Sequence, residues 1–207
     1  IYPFPGPGLG VRLLCQGPQA PAAPTESVQA ASAIGATRGY SVLPLPVRSV
    51  GVQGDGRTYA QPAALRGPCD WKALESVATE LTNRVRAFNR VVYHVAGSTD
   101  FVAMEAYTTR DRLDLLRSLD HETTSWLKRE GFYETIWQMP VALLPVLAGG
   151  RQVVVLRPVI SREAMTASFW EAPADKLGEL AAKLLELGAG AVLYDCTHKP
   201  PGTIEWE

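Results

Sequence analysis

The sequence predicts an α+β fold: two fused β-β-α-β units packed as an intramolecular pseudo-dimer. Three observations carry this. The order strand, strand, amphipathic helix, strand occurs twice, over residues 42–97 and again over 132–207. Ala64-Leu65-Arg66 is echoed by Val155-Leu156-Arg157, and Val92-Tyr93-His94 by Leu193-Tyr194-Asp195. The echoes are short, so the shared order of elements weighs more than the identities. Finally, one such layer is too small to bury its sheet alone, whereas two can cover each other like the halves of a two-fold dimer, and fusion makes that pairing intramolecular.

Composition narrows the functional class. The chain of 207 residues is 46% hydrophobic and 20% charged, which suits one or two packed cores rather than disorder or a fibre. A formal net charge of -1 offers no general attraction to nucleic acid or to an anionic membrane. No apolar run approaches the roughly 20 residues of a membrane helix, and no secretory leader pattern opens the chain, so a cytoplasmic protein is expected. Cys15, Cys69 and Cys196 are far apart, and His94, His121 and His198 are equally scattered, so no zinc spacing and no Cys-His couple is present. The chain begins at Ile1 inside a motif, which reads as a piece of a longer protein.

Taken in order, residues 1–16 form a Pro/Gly-shaped loop and a strand over Val11 to Cys15. Prolines and glycines crowd Pro3 to Gly10 and exclude helix and regular ladder. The loop lacks Gly-x-Gly-x-x-Gly and the Gly-Lys-Ser/Thr of a P-loop, so by itself it reads as a tight connector. Residues 17–41 are rich in Ala, Pro, Ser, Gly and Thr, with Val28 and Ile34 the only large aliphatics up to Gly39; they read as a mobile surface insertion. Leu45 to Gln53 and Tyr59 to Arg66 read as strands joined by Gly54-Asp55-Gly56, a hairpin signal. A helix from about Asp70 to Ala87 follows, with Leu74, Val77, Leu81 and Val85 on one face and Asp70 as N-cap. Arg90 to Val95 closes the first unit.

Residues 98–131 are a bridge whose long helix, Arg110 to Glu130, turns Leu113, Leu116, Leu119, Trp126 and Leu127 to one side. Its charged face alternates in sign and reads as solvated surface. In the second unit, Trp137 to Leu147 and Arg151 to Pro158 read as strands, Ala174 to Leu187 as helix and Ala191 to Cys196 as the last strand. The two units differ at their ends. Only the first has the Gly-Asp-Gly hairpin, with Arg57 beside it; only the second continues into Lys199-Pro200-Pro201-Gly202-Thr203-Ile204-Glu205-Trp206-Glu207.

These ends are where binding chemistry concentrates. Arg57 stands at a glycine-rich bend whose backbone N–H groups can also face an anion, and its planar fork suits phosphate. Pro200 and Pro201 fix φ, so Lys199 and Glu205 are held in a set relation, a cation and an anion within one stiff hook. On the residues alone, Asp55 also reads as a turn residue and the tail as a charged chain end lying on its own domain.

The closing Lys-Pro-Pro-Gly-Thr-Ile-Glu-Trp-Glu, the opening Pro3-Phe4-Pro5-Gly6-Pro7-Gly8-Leu9, and Ser49-Val50-Gly51-Val52-Gln53-Gly54-Asp55-Gly56-Arg57-Thr58-Tyr59 together resemble the C-terminal part of glutamine-hydrolysing GMP synthase, in its duplicated eukaryotic-type form. Tyr2 replaces the His that usually precedes Pro-Phe-Pro in that family. The resemblance implies an enzyme that adenylylates xanthosine monophosphate (XMP) with ATP and replaces the adenylyl group with ammonia from glutamine. It implies XMP ligands at Asp55, Arg57, Gln138, Lys199, Thr203, Ile204 and Glu205, and a loop at Pro5, Gly6, Pro7 and Gly8 bordering the substrate. Neither the glutaminase Cys-His-Glu set nor the Ser-Gly-Gly-Val-Asp-Ser pyrophosphate loop occurs here, so no catalytic residue is assigned. ATP and Mg would bind to an ATP-pyrophosphatase domain outside this chain. Within this resemblance Lys199, Arg57 and the Thr203 hydroxyl are placed at the 5′-phosphate, and Glu205 and Gln138 at the xanthine edge or ribose. Single-copy relatives pair as homodimers, so a duplicated chain is expected to be a monomer, with a homodimer as the alternative. A different class of function also fits: a pairing module that has lost its nucleotide contacts and only assembles.

Overall fold

The computed structural model describes residues 8–207 apart from Asp55, Arg162 and Ala164. After a 3₁₀ turn at Leu9–Arg12 come helix α1 (Thr25–Ala36), strands β1 (Ser41–Pro44), β2 (Ser49–Gln53) and β3 (Gly56–Arg66), helix α2 (Trp71–Arg84) and strand β4 (Phe88–Gly97). The bridge holds a short β5 (Val102–Ala103) and the long α3 (Arg110–Arg129). Strands β6 (Val141–Ala148) and β7 (Arg151–Leu156), helix α4 (Ala174–Glu186) and strand β8 (Ala191–Asp195) complete the chain. One curled sheet runs β1-β3-β4-β8-β7-β6-β5, with β2 also paired to β3.

Register reveals the duplication better than the sequence does. In each unit a helix crosses between parallel strands, β3 to β4 and β7 to β8, and the units meet where β4 and β8 pair antiparallel. Leu65 pairs with Tyr93 in the first unit and Leu156 with Tyr194 in the second. At the junction Tyr93 pairs with Tyr194, and the flanking pairs are Val92 with Asp195 and His94 with Leu193. That is the pattern of a two-fold axis between the two tyrosines, so the α+β fold of two fused units is borne out.

Strand alternation then builds two cores. Leu65, Val91, Tyr93, Leu156, Val192 and Tyr194 face the helices, whose own stripes include Leu74, Leu81, Leu177 and Leu184. Ala64, Val92, Val155 and Leu193 face the other way, where Leu14, Leu45, Val47 and Trp206 cover them. The C-terminal tail is thus part of a core. Helix α2 starts where expected because the Asp70 side chain accepts bonds from Lys72 N and Ala73 N, each at 3.1 Å. No helix among the described residues is long and apolar enough to cross a membrane.

Three local expectations are corrected. Val11 to Cys15 is not a strand: the chain turns through Arg12, joins the sheet by the isolated Leu13–Leu143 bridge, and spends the Leu14 carbonyl on the Arg112 guanidinium at 2.8 Å. The first hairpin arm, expected over Leu45 to Gln53, is strand only over β2 (Ser49–Gln53), and a separate β1 ends before it at Pro44. Pro44 and Pro46 cannot donate to a ladder, and the segment between turns Leu45 and Val47 into the second core. Lastly, the stretch read as a mobile insertion contains helix α1, with Ala31 and Ile34 buried. Counting only large aliphatics missed it, because small residues let this helix lie close to the sheet. A Cβ added to Gly35 would stand 2.6 Å from Val42 Cγ2 and 2.8 Å from the Tyr40 carbonyl oxygen.

Gly35 therefore separates propensity from packing. On propensity alone Gly35→Ala gains about 1 kcal/mol. With the observed clash it is expected to lose about 1–3 kcal/mol, as overpacked sites do. Urea denaturation reads the sign, and a gain would show that α1 does not pack on β1 as described.

Candidate functional site

A charge inside an apolar strand has to be paired, and the pairing here builds the tail. Arg90 of β4, Arg157 just beyond β7 and Asp195 at the end of β8 are all fully buried. Arg90 Nη1 lies 2.9 Å from Asp195 Oδ2, and Arg157 Nη1 lies 3.3 Å from Asp195 Oδ1. Burial pushes the Arg90 guanidinium down to about 10, against the pull of Asp195. Burial also pushes Asp195 up, but Arg157 and Arg90 outweigh it and hold the carboxyl below the usual range.

The same groups fasten the tail. Arg90 donates to the Thr203 carbonyl at 3.1 Å, the Thr203 hydroxyl at 2.6 Å, the Glu205 carbonyl at 2.7 Å and the Val50 carbonyl at 3.0 Å. Trp206 Nε1 donates to Asp195 Oδ2 at 3.0 Å, and its ring lies 5.0 Å from the Arg90 guanidinium carbon. Arg157 donates to the Thr197 carbonyl. Two guanidiniums against one carboxylate leave this cluster net positive. In the first unit the register-equivalent positions hold Arg66, which is exposed, and His94.

Held this way, the tail joins parts that are far apart in sequence. Gln138 bridges Val159, Ile160 bridges Ser168, and Ala167 bridges Lys199, a run of short extended segments. Past Lys199 the chain reaches the first unit: Gly202 bridges Gly51, and Val52 N donates to the Pro201 carbonyl at 2.7 Å. Val52 in turn pairs with Arg57. With strands about 4.8 Å apart and at most about 3.6 Å per residue, the Cα atoms of Arg57 and Lys199 lie within about 17 Å of each other.

The candidate side chains are in different states. Arg57 is exposed, and Lys199 is half-buried beside a cavity of about 520 Å³ that Ser161, Glu163, Ala167 and His198 also line. That is within the roughly 300–1,000 Å³ of ligand pockets. A second cavity of about 260 Å³ lies between Gly54, Asn83, Arg86, Pro200 and Pro201. Glu205 is held by Arg12, at 3.1 Å from Nη2. The Thr203 hydroxyl, expected at a phosphate, is taken by Arg90 and by the Glu205 carbonyl. Gln138 and Ile204 are half-buried, and Gly8 is exposed with φ +80° before the first turn. Asp55, Pro5, Gly6 and Pro7 lie outside the described residues. Among the described residues no cluster of His, Cys, Asp or Glu could hold a metal ion.

Sequence reading passed over Arg90, Arg157 and Asp195. The available signal was a lone charge in an apolar strand, as in Phe88-Asn89-Arg90-Val91-Val92. Replacing Asp195 by Asn leaves two guanidiniums buried with no counter-charge, and breaking a buried pair costs about 3–5 kcal/mol. Because the folded carboxyl is depressed, its contribution is complete above the unfolded value of about 3.9 and is lost as pH falls through the folded one. Urea curves should therefore show Asp195→Asn well below wild type at pH 7 and a smaller gap at pH 3. An equal gap at both would contradict the pairing.

Comparison with known proteins shows the family. The family model for the GMP synthase C-terminal domain matches residues 26–100 and 125–206, two segments compatible with the duplication. The chain is 40% identical over 214 aligned residues to the probable glutamine-hydrolyzing GMP synthase of Leptospira interrogans serovar copenhageni, covering all of this chain and 35% of that protein. It is 42% identical over 109 residues to the glutamine-hydrolyzing GMP synthase of Bradyrhizobium diazoefficiens, covering 48% of this chain and 20% of that protein. The chain thus spans about a third of the full-length relative it matches. Since the matched segments take in both units and the anchored tail, the chain belongs to the GMP synthase C-terminal domain family.

Proposed function

We propose that this chain is the XMP-holding segment of a glutamine-hydrolysing GMP synthase. In the whole enzyme an ATP-pyrophosphatase domain, with ATP and Mg, adenylylates the C2 oxygen of XMP. A glutaminase domain supplies the ammonia that displaces AMP and gives GMP. The present segment contributes position rather than chemistry: it has no catalytic residue and binds the nucleotide while its partner domains act on it.

One observation carries this reading. The backbone bond from Val52 to Pro201 joins the hairpin of one unit to the tail of the other, so each unit supplies the half that the other lacks. In this reading Arg57 and Lys199 take the 5′-phosphate, with Asp55 at the same turn. Gln138, Glu205 and the Ile204 backbone meet the base or ribose. The net-positive cluster under the tail favours an anion above it. Thr203 serves by tying the tail to Arg90, and the loop at Pro5 to Gly8 borders the substrate. With the pseudo-dimer inside one chain, the protein works as a cytoplasmic monomer.

Calorimetric titration with XMP tests it. Losing one partner of a desolvated charge pair costs roughly 2–5 kcal/mol, so Lys199→Ala should weaken binding about thirtyfold or more. A change below threefold removes Lys199 from the site. A flat titration of the wild-type chain, together with an upstream coding region that lacks the pyrophosphate loop, would favour a pure pairing module.

A further inference from the structure

The Arg12 side chain lies between two carboxylates from distant parts of the chain. On one side are Glu205 Oε1, 3.1 Å from Nη2, and Oε2, 3.3 Å from Nε. On the other is Asp120 Oδ1, an atom of α3, 3.8 Å from Nη1. That distance is beyond a hydrogen bond. Asp120 Oδ1 is nevertheless buried and has no hydrogen-bond partner among the described residues. Arg12 itself is only 14% exposed. One guanidinium therefore serves one carboxylate fully and stands about 1 Å short of serving the other.

We propose that Arg12 is a positioning residue with two seats, fixing Glu205 in the ligand-free protein and moving onto Asp120 when a purine base offers its N–H groups to Glu205. The inference rests on the reading that Glu205 meets the nucleobase. A guanidinium this buried is costly to leave without a counter-charge, so a ligand that draws on Glu205 must either share it with Arg12 or displace it. Asp120 makes displacement inexpensive, and its orphaned oxygen gains the partner it lacks. Burial pushes the Asp120 carboxyl above its usual range while Arg12 pulls it down, as expected for a carboxylate with a counter-ion just out of reach.

Two measurements test the exchange, one of them without ligand. In crystals of the Glu205→Ala protein grown without nucleotide, Arg12 Nη1 should close on Asp120 Oδ1 from 3.8 Å to about 2.8 Å; Arg12 remaining where it is, or turning to solvent, overturns the two-seat arrangement. In XMP titrations Asp120→Asn should weaken binding about tenfold in the wild-type background and less than twofold when Arg12→Ala is also present. An equal loss in both backgrounds makes Asp120 merely structural and overturns the proposal. Absence of XMP binding to wild type, or indifference to Lys199→Ala, would strike the functional reading alone, and the ligand-free crystals would still decide the exchange.

Discussion

Arg90 holds the C-terminal tail to the sheet, and most of what is distinctive in this molecule depends on that one side chain. Its two terminal nitrogens, Nη1 and Nη2, bond a carboxylate, a hydroxyl and three carbonyls from three segments of chain, while Nε has no partner among the described residues. A lysine could not make this set of bonds, since it lacks the planar fork. Burying a guanidinium costs free energy that Asp195 offsets, and Trp206 seals the arrangement by filling the second core and bonding to the same carboxylate. What results is a short stiff hook whose geometry is set by the core rather than by solvent-exposed contacts.

That anchoring explains why a duplicated unit can work with unequal halves. A symmetric pair would present two hairpins and two tails. Here the tail exists once, after β8, and it reaches across to β2 of the other unit. The equivalent space after β4 is used differently: Asp100 accepts a bond from Gly149 N at 2.8 Å, so the chain's own carboxylate caps the second hairpin. One end of the pseudo-dimer is thus closed by its own residues, while at the other the tail bridges β2 through Gly202 and Gly51.

Much of this was legible in the sequence, and what was not had physical causes. Periodicity located α2, α3, α4 and β8 to within a few residues because each buries one regular stripe, and the register of Leu65, Tyr93, Leu156 and Tyr194 matches the short echoes. Helix α1 escaped because its contacts depend on how closely Gly35 and Ala31 approach the sheet, which no count of large side chains reveals. The ion cluster escaped because its members are about 40 to 105 positions apart and each looks like an ordinary polar interruption. Pairing of Glu205 with Arg12 was hidden for the same reason, the two being 193 positions apart. The motifs that pointed to a nucleotide were local in sequence; the groups that hold them in place were not.

The central claim is that a hairpin from one unit and the tail of the other share one mononucleotide. A crystal structure of the protein with XMP bound addresses it most directly. The account predicts a 5′-phosphate touching the side chains of both Arg57 and Lys199, with the base turned toward Glu205. A phosphate held by only one of those cations, or a nucleotide seated away from the junction of β2 and the tail, would contradict it.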